Sequence, residues 1–350
     1  MLNVFIGKQK EGCVLLDVLR GSLHVPYGPD AFGDLSIDSY FQTPYVSIVS
    51  NPEEADYFLL PHSYASVYKD TAYVADFVQQ AHAHKKKIII FVIGDRGLSV
   101  PFDDVIVFRM SVYGFAMRTS DLVMPAYARD PGVGELIIRQ KGARPVVGFC
   151  GFATIADWRG RLKQWLHNSF YDVLAFSRIQ PEARARKRGI FYRRRVMRIL
   201  SADSRIETRF TVRSFYSGSK KTLGMDSARA QQEYIENMQQ SDFILTPKGD
   251  GNYSTRFYEV LSYGRIPVLI DTSVVLPLAD MVDYDSFIVR ISHKSIDSVA
   301  DRISEYFSHM TDEEYEKKQR AARQAFVSYL RIDSYLRAVL TKEYLGRHFH

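Results

Sequence analysis

Short, unbroken apolar runs alternate along this chain with longer stretches in which apolar residues return every three or four positions. Residues 4–6, 57–60, 88–92, 105–108 and 122–124 are runs of strand length. Between the second and third of them, residues 73–84 carry Val74, Phe77, Val78 and Ala81 on one helical face. The pattern then repeats. Strands are predicted at 146–149, 210–212, 243–245, 266–270 and 287–289, and helices at 159–168, 193–200, 228–240, 254–263, 296–310 and 312–329. Continuous apolar strands separated by helices imply βα units and parallel sheets covered on both faces. The expected fold class is α/β, with two Rossmann-like domains. A Gly- and Pro-bearing stretch at 131–144 marks the boundary. It gives an N-terminal domain 1–143, a C-terminal domain 144–330 and a helical tail 331–350.

The segment 241–271 carries most of the chemical information. Phe243, Ile244 and Leu245 read as a buried strand. Residues 247–251 break it, with Gly249 and Gly251 around Asp250. Ser254 suits the N-cap of a helix whose Phe257, Val260 and Leu261 share a face, and Gly264 suits the position just past its end. A glycine-bearing loop between a strand end and a helix start offers N–H groups and the positive helix end to an anion. Arg256 falls in the first turn, where the helix dipole disfavours a cation unless something negative is near. Glu259 lies three residues on, on the same face. An arginine there suits a diphosphate, and a carboxylate one turn deeper suits sugar hydroxyls. An ordinary turn with a surface pair between Arg256 and Asp250 or Glu259 is the plainer alternative.

These residues resemble the signature of the exostosin-like glycosyltransferases of the GT47 type. That signature is an Arg-Gly-Asp-Gly loop, then Ser-x-Arg and a Glu. Here it stands as Lys248, Gly249, Asp250 and Gly251, followed by Ser254, Arg256 and Glu259. Weaker blocks agree in order: Asn51 to Phe58, Arg144 to Gly151, Leu276 to Leu278, and Tyr284 to Phe287. Lys248 departs from the family's usual Arg and loses its bidentate fork. The resemblance implies the GT-B fold, two Rossmann-like domains facing across a cleft. It also implies an inverting transferase that moves a sugar from a nucleotide-sugar, a UDP-sugar foremost, to a glycan or glycolipid hydroxyl. On this reading Gly249, Asp250, Gly251, Asn252 and Ser254 surround the diphosphate and donor sugar. Arg256 neutralises phosphate, Glu259 accepts from the ribose hydroxyls, and Lys248 adds positive charge. Arg159 and Arg161, after the strand ending at Gly151, either reach the phosphates or are ordinary helix-surface arginines.

Transfer needs a base on the N-terminal side. His62 and Asp95 are the candidates, because each follows a strand's carboxyl end, where open α/β sheets bind ligands. No metal is expected, although Asp283 and Asp285 form an Asp-x-Asp match within a block that resembles a structural segment. Composition changes the picture little. At 350 residues and 46% hydrophobic content the chain is long and apolar enough for two globular domains. Its net charge of +6 favours anionic ligands, but no nucleic-acid-binding signature is present. Cys13 and Cys150 give no disulfide framework and fit a reducing compartment. Residues 3–6 already read as a strand rather than a leader. The expectation is a cytoplasmic enzyme, or a soluble piece of an anchored one. Eight Lys and Arg residues crowd into 184–198, either as a solvated face or as a peripheral contact with an anionic membrane. Two alternatives stay open: a GDP-sugar, fucosyl-type donor, and a non-catalytic glycan-binding partner of another transferase.

Overall fold

The computed structural model describes residues 1–25, 35–130, 136–155, 157–178, 180–214 and 226–349. Two compact units emerge. Unit 1 comprises Met1–Arg129, Val275–Leu278 and Val327–His350, and unit 2 comprises Asp130–Val274 and Ala279–Phe326. Part of the predicted boundary stretch, 131–135, lies outside the described residues.

Unit 1 holds six parallel strands: β1 (Leu2–Phe5), β2 (Val46–Ile48), β3 (Tyr57–Leu59), β4 (Ile88–Val92), β5 (Val105–Arg109) and β6 (Asp121–Val123). Their order is β2-β1-β3-β4-β5-β6. The helix Thr71–Ala83 lays Val74, Phe77, Val78 and Ala81 against Phe58, Ile88, Ile90 and Val107, as its periodicity predicts. β2 escapes the periodicity reading because Ser47 splits its apolar run.

The chain end is a correction. Residues 331–350 are expected as a tail, yet Ile332–Val339 packs within unit 1. Ile332, Tyr335, Leu336 and Val339 recur at helical spacing, and all are buried. The Tyr335 hydroxyl donates to the Val123 carbonyl at 3.0 Å, and Lys342 pairs with Asp56 at 2.7 Å.

Unit 2 holds five parallel strands: β7 (Val146–Phe152), β8 (Glu207–Arg213), β9 (Phe243–Leu245), β10 (Ile266–Asp271) and β11 (Val289–Ser292). Their order is β11-β10-β9-β7-β8. Val147, Phe149, Phe243, Leu245, Val268 and Ile270 pack on one face against the helices Gly189–Ser201 and Val299–Ser308. On the other face Ile244 meets Met238 and Val260. Each sheet is therefore an α/β layer covered by helices, the fold class that the patterning predicts. β11 begins later than expected because the turn Tyr284–Ser286 captures the Phe287 and Ile288 N–H groups on the Tyr284 carbonyl.

One buried carboxylate ties unit 2 together. Asp242 stands just before β9 and is almost wholly buried. It accepts from the Val146 N–H at 2.7 Å, from Arg139 Nε at 2.6 Å and from the Tyr315 hydroxyl at 2.7 Å. The Asp242 N–H returns a bond to the Val146 carbonyl at 2.9 Å. The starts of β7 and β9 are thus clamped side by side. Removing one partner of a buried, hydrogen-bonded ion pair costs about 3–5 kcal/mol. Asp242→Ala is expected to lower unfolding stability by that order in urea titrations followed by circular dichroism; a loss under about 1 kcal/mol would refute the clamp.

Candidate active site

In unit 2 the chain runs from β7 outward to β8, then crosses back to β9 on the other side. The strand order reverses at β7/β9, and open parallel sheets bind ligands at the carboxyl ends beside such a reversal. Two segments meet this edge: the chain leaving β7, and residues 246–254 leading from β9 into the helix Thr255–Ser262. That helix closes as its sequence suggests. Gly264, at φ +60°, donates to Leu261 at 2.9 Å, and Arg265 donates to Val260 at 3.0 Å.

Arg256 is the centre of the arrangement. Its Nη2 donates to the Cys150 carbonyl at 2.8 Å, and its guanidinium lies 4.3 Å from the centroid of the Phe149 ring. Its Nε reaches the Tyr234 hydroxyl at 3.3 Å, and that hydroxyl donates to Glu259 Oε2 at 2.5 Å. Gly151 makes room for this. It sits at φ +152°, and a β-carbon there would lie 2.6 Å from Arg256 Nη2. The guanidinium is fixed by a carbonyl, two rings and a hydroxyl, and no carboxylate among the described residues forms an ion pair with it. A cation held in this way at a helix start favours an anion beside it. Burial, followed by the neighbouring Glu259 charge, pushes the Tyr234 phenol up, so it stays a protonated donor between the two.

The other predicted residues divide. Asp250 stands exposed on the loop, and the Gly249 N–H closes the loop onto the Tyr253 carbonyl at 2.9 Å. Gly251 is buried within the same loop. Asn252 is also buried; its amide donates to the Ser273 carbonyl at 3.1 Å, and its Oδ1 accepts from Thr272 at 2.6 Å. It therefore pins the loop to the end of β10 instead of facing a ligand. Ser254 occupies the N-cap, but its side chain makes no capping bond. Arg159 and Arg161 are exposed in the first turn of the helix Trp158–Phe176, and Arg159 stacks 5.5 Å from the Trp158 ring.

Lys248 corrects an expectation. Its ammonium does not project into the loop but is buried, donating to the Ala185 carbonyl at 2.7 Å. Burial, and then Arg186, lower its pKa from 10.5 to about 7, against the pull of Asp250.

His62 is a second correction. It is fully buried, with Nδ1 donating to the Val14 carbonyl at 2.9 Å and Nε2 accepting from the Lys10 N–H at 2.8 Å. With both nitrogens used to stitch the segment after β1 to the segment after β3, it cannot collect a substrate proton. Asp95 is exposed in the bend after β4.

The basic run 184–198 is not a uniform surface patch. Arg184 and Lys187 pair with Asp172 at 3.1 and 2.7 Å, and Arg195 pairs with Asp297 at 2.6 Å. Arg193 turns inward, donating to the Phe152 carbonyl at 2.9 Å and the Lys248 carbonyl at 3.1 Å. It joins the two edges of the β7/β9 crevice. Gly189, at the start of the same helix, abuts the loop: a β-carbon there would lie 1.9 Å from the Lys248 carbonyl oxygen.

Two further polar residues, His167 and Asn168, carry no motif that would mark them in the sequence. His167 Nδ1 and Asn168 Oδ1 are buried without a hydrogen-bond partner among the described residues. Burial, then Arg188 and, more weakly, Lys248, hold the His167 imidazole below its usual range. The Asp-x-Asp match lies in the turn Tyr284–Ser286, where Asp285 faces Arg290 at 3.7 Å. Among the described residues no group of three or more His, Cys, Asp or Glu could hold a metal ion.

Residues 180–307 match the family model of the Exostosin GT47 domain. The matched stretch contains Arg193, Lys248, Arg256 and Glu259. Three curated relatives carry related sequence. A probable glucuronosyltransferase 47 A of Physcomitrium patens is 36% identical over 87 residues, 25% of this chain and 18% of the relative. The probable beta-1,4-xylosyltransferase IRX10 of Arabidopsis thaliana is 36% identical over 63 residues, 18% of this chain and 15% of the relative. An Exostosin-1 homolog of Caenorhabditis elegans is 30% identical over 99 residues, 28% of this chain and 25% of the relative. The matched stretches thus span a quarter or less of these relatives' own lengths. Among solved structures, the Streptomyces sp. SF2575 glycosyltransferase SsfS6 overlaps loosely, with a TM-score of 0.30 at 12% identity, covering 97% of this chain and 99% of its own.

The lowered Lys248 pKa makes the stability of unit 2 depend on pH. The unfolded lysine binds its proton up to about pH 10.5, whereas the folded one releases it near 7. Between these values the unfolded state holds more protons, so wild-type stability rises with pH, at up to about 1.4 kcal/mol per unit. Lys248→Met removes this dependence. Urea midpoints from pH 6 to 10 are expected to show the variant's relative advantage greatest at pH 6 and shrinking above 7. A constant difference would contradict the burial of the ammonium.

Proposed function

We propose that this protein is an inverting glycosyltransferase, moving a sugar from a nucleotide-sugar, most readily a UDP-sugar, to a hydroxyl of a glycan or glycolipid. The observation that carries this reading is the Arg256 guanidinium, held at the β7/β9 edge by Cys150, Phe149 and Tyr234 with no ion-pair partner among the described residues. The names of the curated relatives, glucuronosyl- and xylosyltransferases, support the reaction class.

The acceptor oxygen attacks the anomeric carbon as the bond to the donor's diphosphate breaks. The acceptor proton passes to a carboxylate, and the nucleoside diphosphate leaves with the electron pair. Arg256 meets the growing negative charge on the leaving group, and the N–H groups at the start of the helix Thr255–Ser262 add to it. Being held in advance, the guanidinium need not reorganise during the reaction. Glu259, oriented by Tyr234, accepts from the ribose hydroxyls. Lys248 and Arg193 shape the loop from beneath. With His62 withdrawn, Asp95 is the remaining candidate base, and we propose that the reaction proceeds without a metal.

Thermal unfolding in the presence of UDP, GDP, CDP and their sugars, in excess EDTA, tests the donor site. Ligand at 100 times its Kd adds about 2.7 kcal/mol, a shift of several degrees. UDP is expected to raise Tm selectively. Arg256→Ala is expected to abolish the shift and, with Glu259→Ala, to abolish transfer while the protein stays folded. A selective GDP shift would replace the UDP assignment. Shifts that persist in Arg256→Ala would refute the site, and transfer lost in EDTA but restored by Mn²⁺ would refute the metal-free reading.

A further inference from the structure

The helix Trp158–Phe176 is built inside out. The only residues it buries are polar, Gln164 and Asn168. Its apolar residues point to solvent: Trp158 is 62% exposed, Trp165 63%, Leu166 54% and Phe170 59%, with Leu162 and Phe176 also open. Their spacing keeps them on one stripe for the helix's whole length, roughly 28 Å at 1.5 Å per residue. A soluble domain rarely leaves so long an apolar face uncovered without a partner for it.

Charge says what that partner is. On the helical wheel Arg161 flanks the stripe on one side and Lys163 on the other, and Arg159 sits at its N-terminal end over Trp158. The one acid beside the stripe, Asp172, is overmatched by Arg184 and Lys187 at 3.1 and 2.7 Å. Asp157 is taken up by the N-cap, accepting from the Gly160 N–H at 2.6 Å. An apolar stripe of Trp, Leu and Phe with a cationic rim fits the boundary between acyl chains and anionic headgroups, where the indole N–H stays wet and the ring is buried. A second copy of the chain would bring like-charged rims together.

We infer that the outward face of the helix Trp158–Phe176 docks on a bilayer bearing anionic phospholipid, lying in its interface without crossing it. None of the described helices is long and apolar enough to span a membrane. The contact runs through this stripe and its rim, whereas in 184–198 Arg184, Lys187 and Arg195 are held in ion pairs and Arg193 turns inward. The helix buries only two residues, so changes on its outer stripe leave the packing of unit 2 intact.

The chain supplies its own reporter, because its two tryptophans both lie on this face. The full chain is mixed with vesicles of phosphatidylcholine, or of phosphatidylcholine with phosphatidylglycerol. Tryptophan emission and co-sedimentation are then read at low and high salt. Expected are a blue shift and pelleting with the anionic vesicles, weakened at about 0.5 M NaCl, where charges are screened within a few ångströms, and much smaller on phosphatidylcholine alone. Lys163→Gln should reduce vesicle affinity about fivefold, the effect of one cation near an anionic surface. Leu166→Glu with Phe170→Glu, folded by circular dichroism, should lose binding at least tenfold. Unchanged emission with the protein left in the supernatant overturns the inference. So does equal binding by the folded double variant. A dimer in sedimentation velocity whose tryptophans are already shielded, and which the double variant dissociates, also overturns it by assigning the face to self-association.

Discussion

The carboxylate of Asp242 is the interaction on which unit 2 depends. A parallel strand pair has no hairpin to set its neighbours, so something else must fix which strands lie together and in what register. Asp242 does this at the amino ends of β7 and β9 by accepting from Val146 while its own N–H bonds the Val146 carbonyl. Arg139 and Tyr315 compensate its burial. The pairing it enforces places Gly148 opposite Ile244 and carries the carboxyl ends of both strands to one edge. The crevice that receives Arg256 exists because these two strands, distant in sequence, are neighbours.

At that edge the same economy of contacts appears in the charges. Arg256 is positioned by groups that cannot neutralise it, so its charge remains available. Lys248 is treated in the opposite way, being buried on the Ala185 carbonyl until its proton is weakly held. Two cations close in sequence are therefore treated differently, one held at the helix start without an ion-pair partner among the described residues and one supporting a loop. Arg193 joins the second group by bonding the Phe152 and Lys248 carbonyls. The helix Trp158–Phe176 completes the pattern: its polar side turns in, and its apolar side turns out.

Some of this is legible in the residues alone. The helix after the loop, its Gly264 ending and the strands on either side follow from local rules, and all occur where those rules put them. Arg256 and Glu259 are readable because a cation in a first turn breaks a local preference and so asks for a reason. His62 misleads because position at a strand end says where a side chain lies but not what its nitrogens already bind. Arg193, His167 and Asn168 are invisible for a related reason. One sits inside a charge run that reads as surface, and the others sit on a helix whose polar face reads as outward.

The sequence by itself determined the α/β class, most strand positions and the family signature around Arg256, because each rests on periodicity or on spacing within a few residues. Only the tertiary structure decided that β7 meets β9, that residues 331–350 pack into unit 1 and that Lys248 is buried. It also decided which face of the helix Trp158–Phe176 is inside. The physical reason is common to all four. Burial and strand pairing depend on atoms brought together from distant parts of the chain, and local pattern carries no record of those atoms.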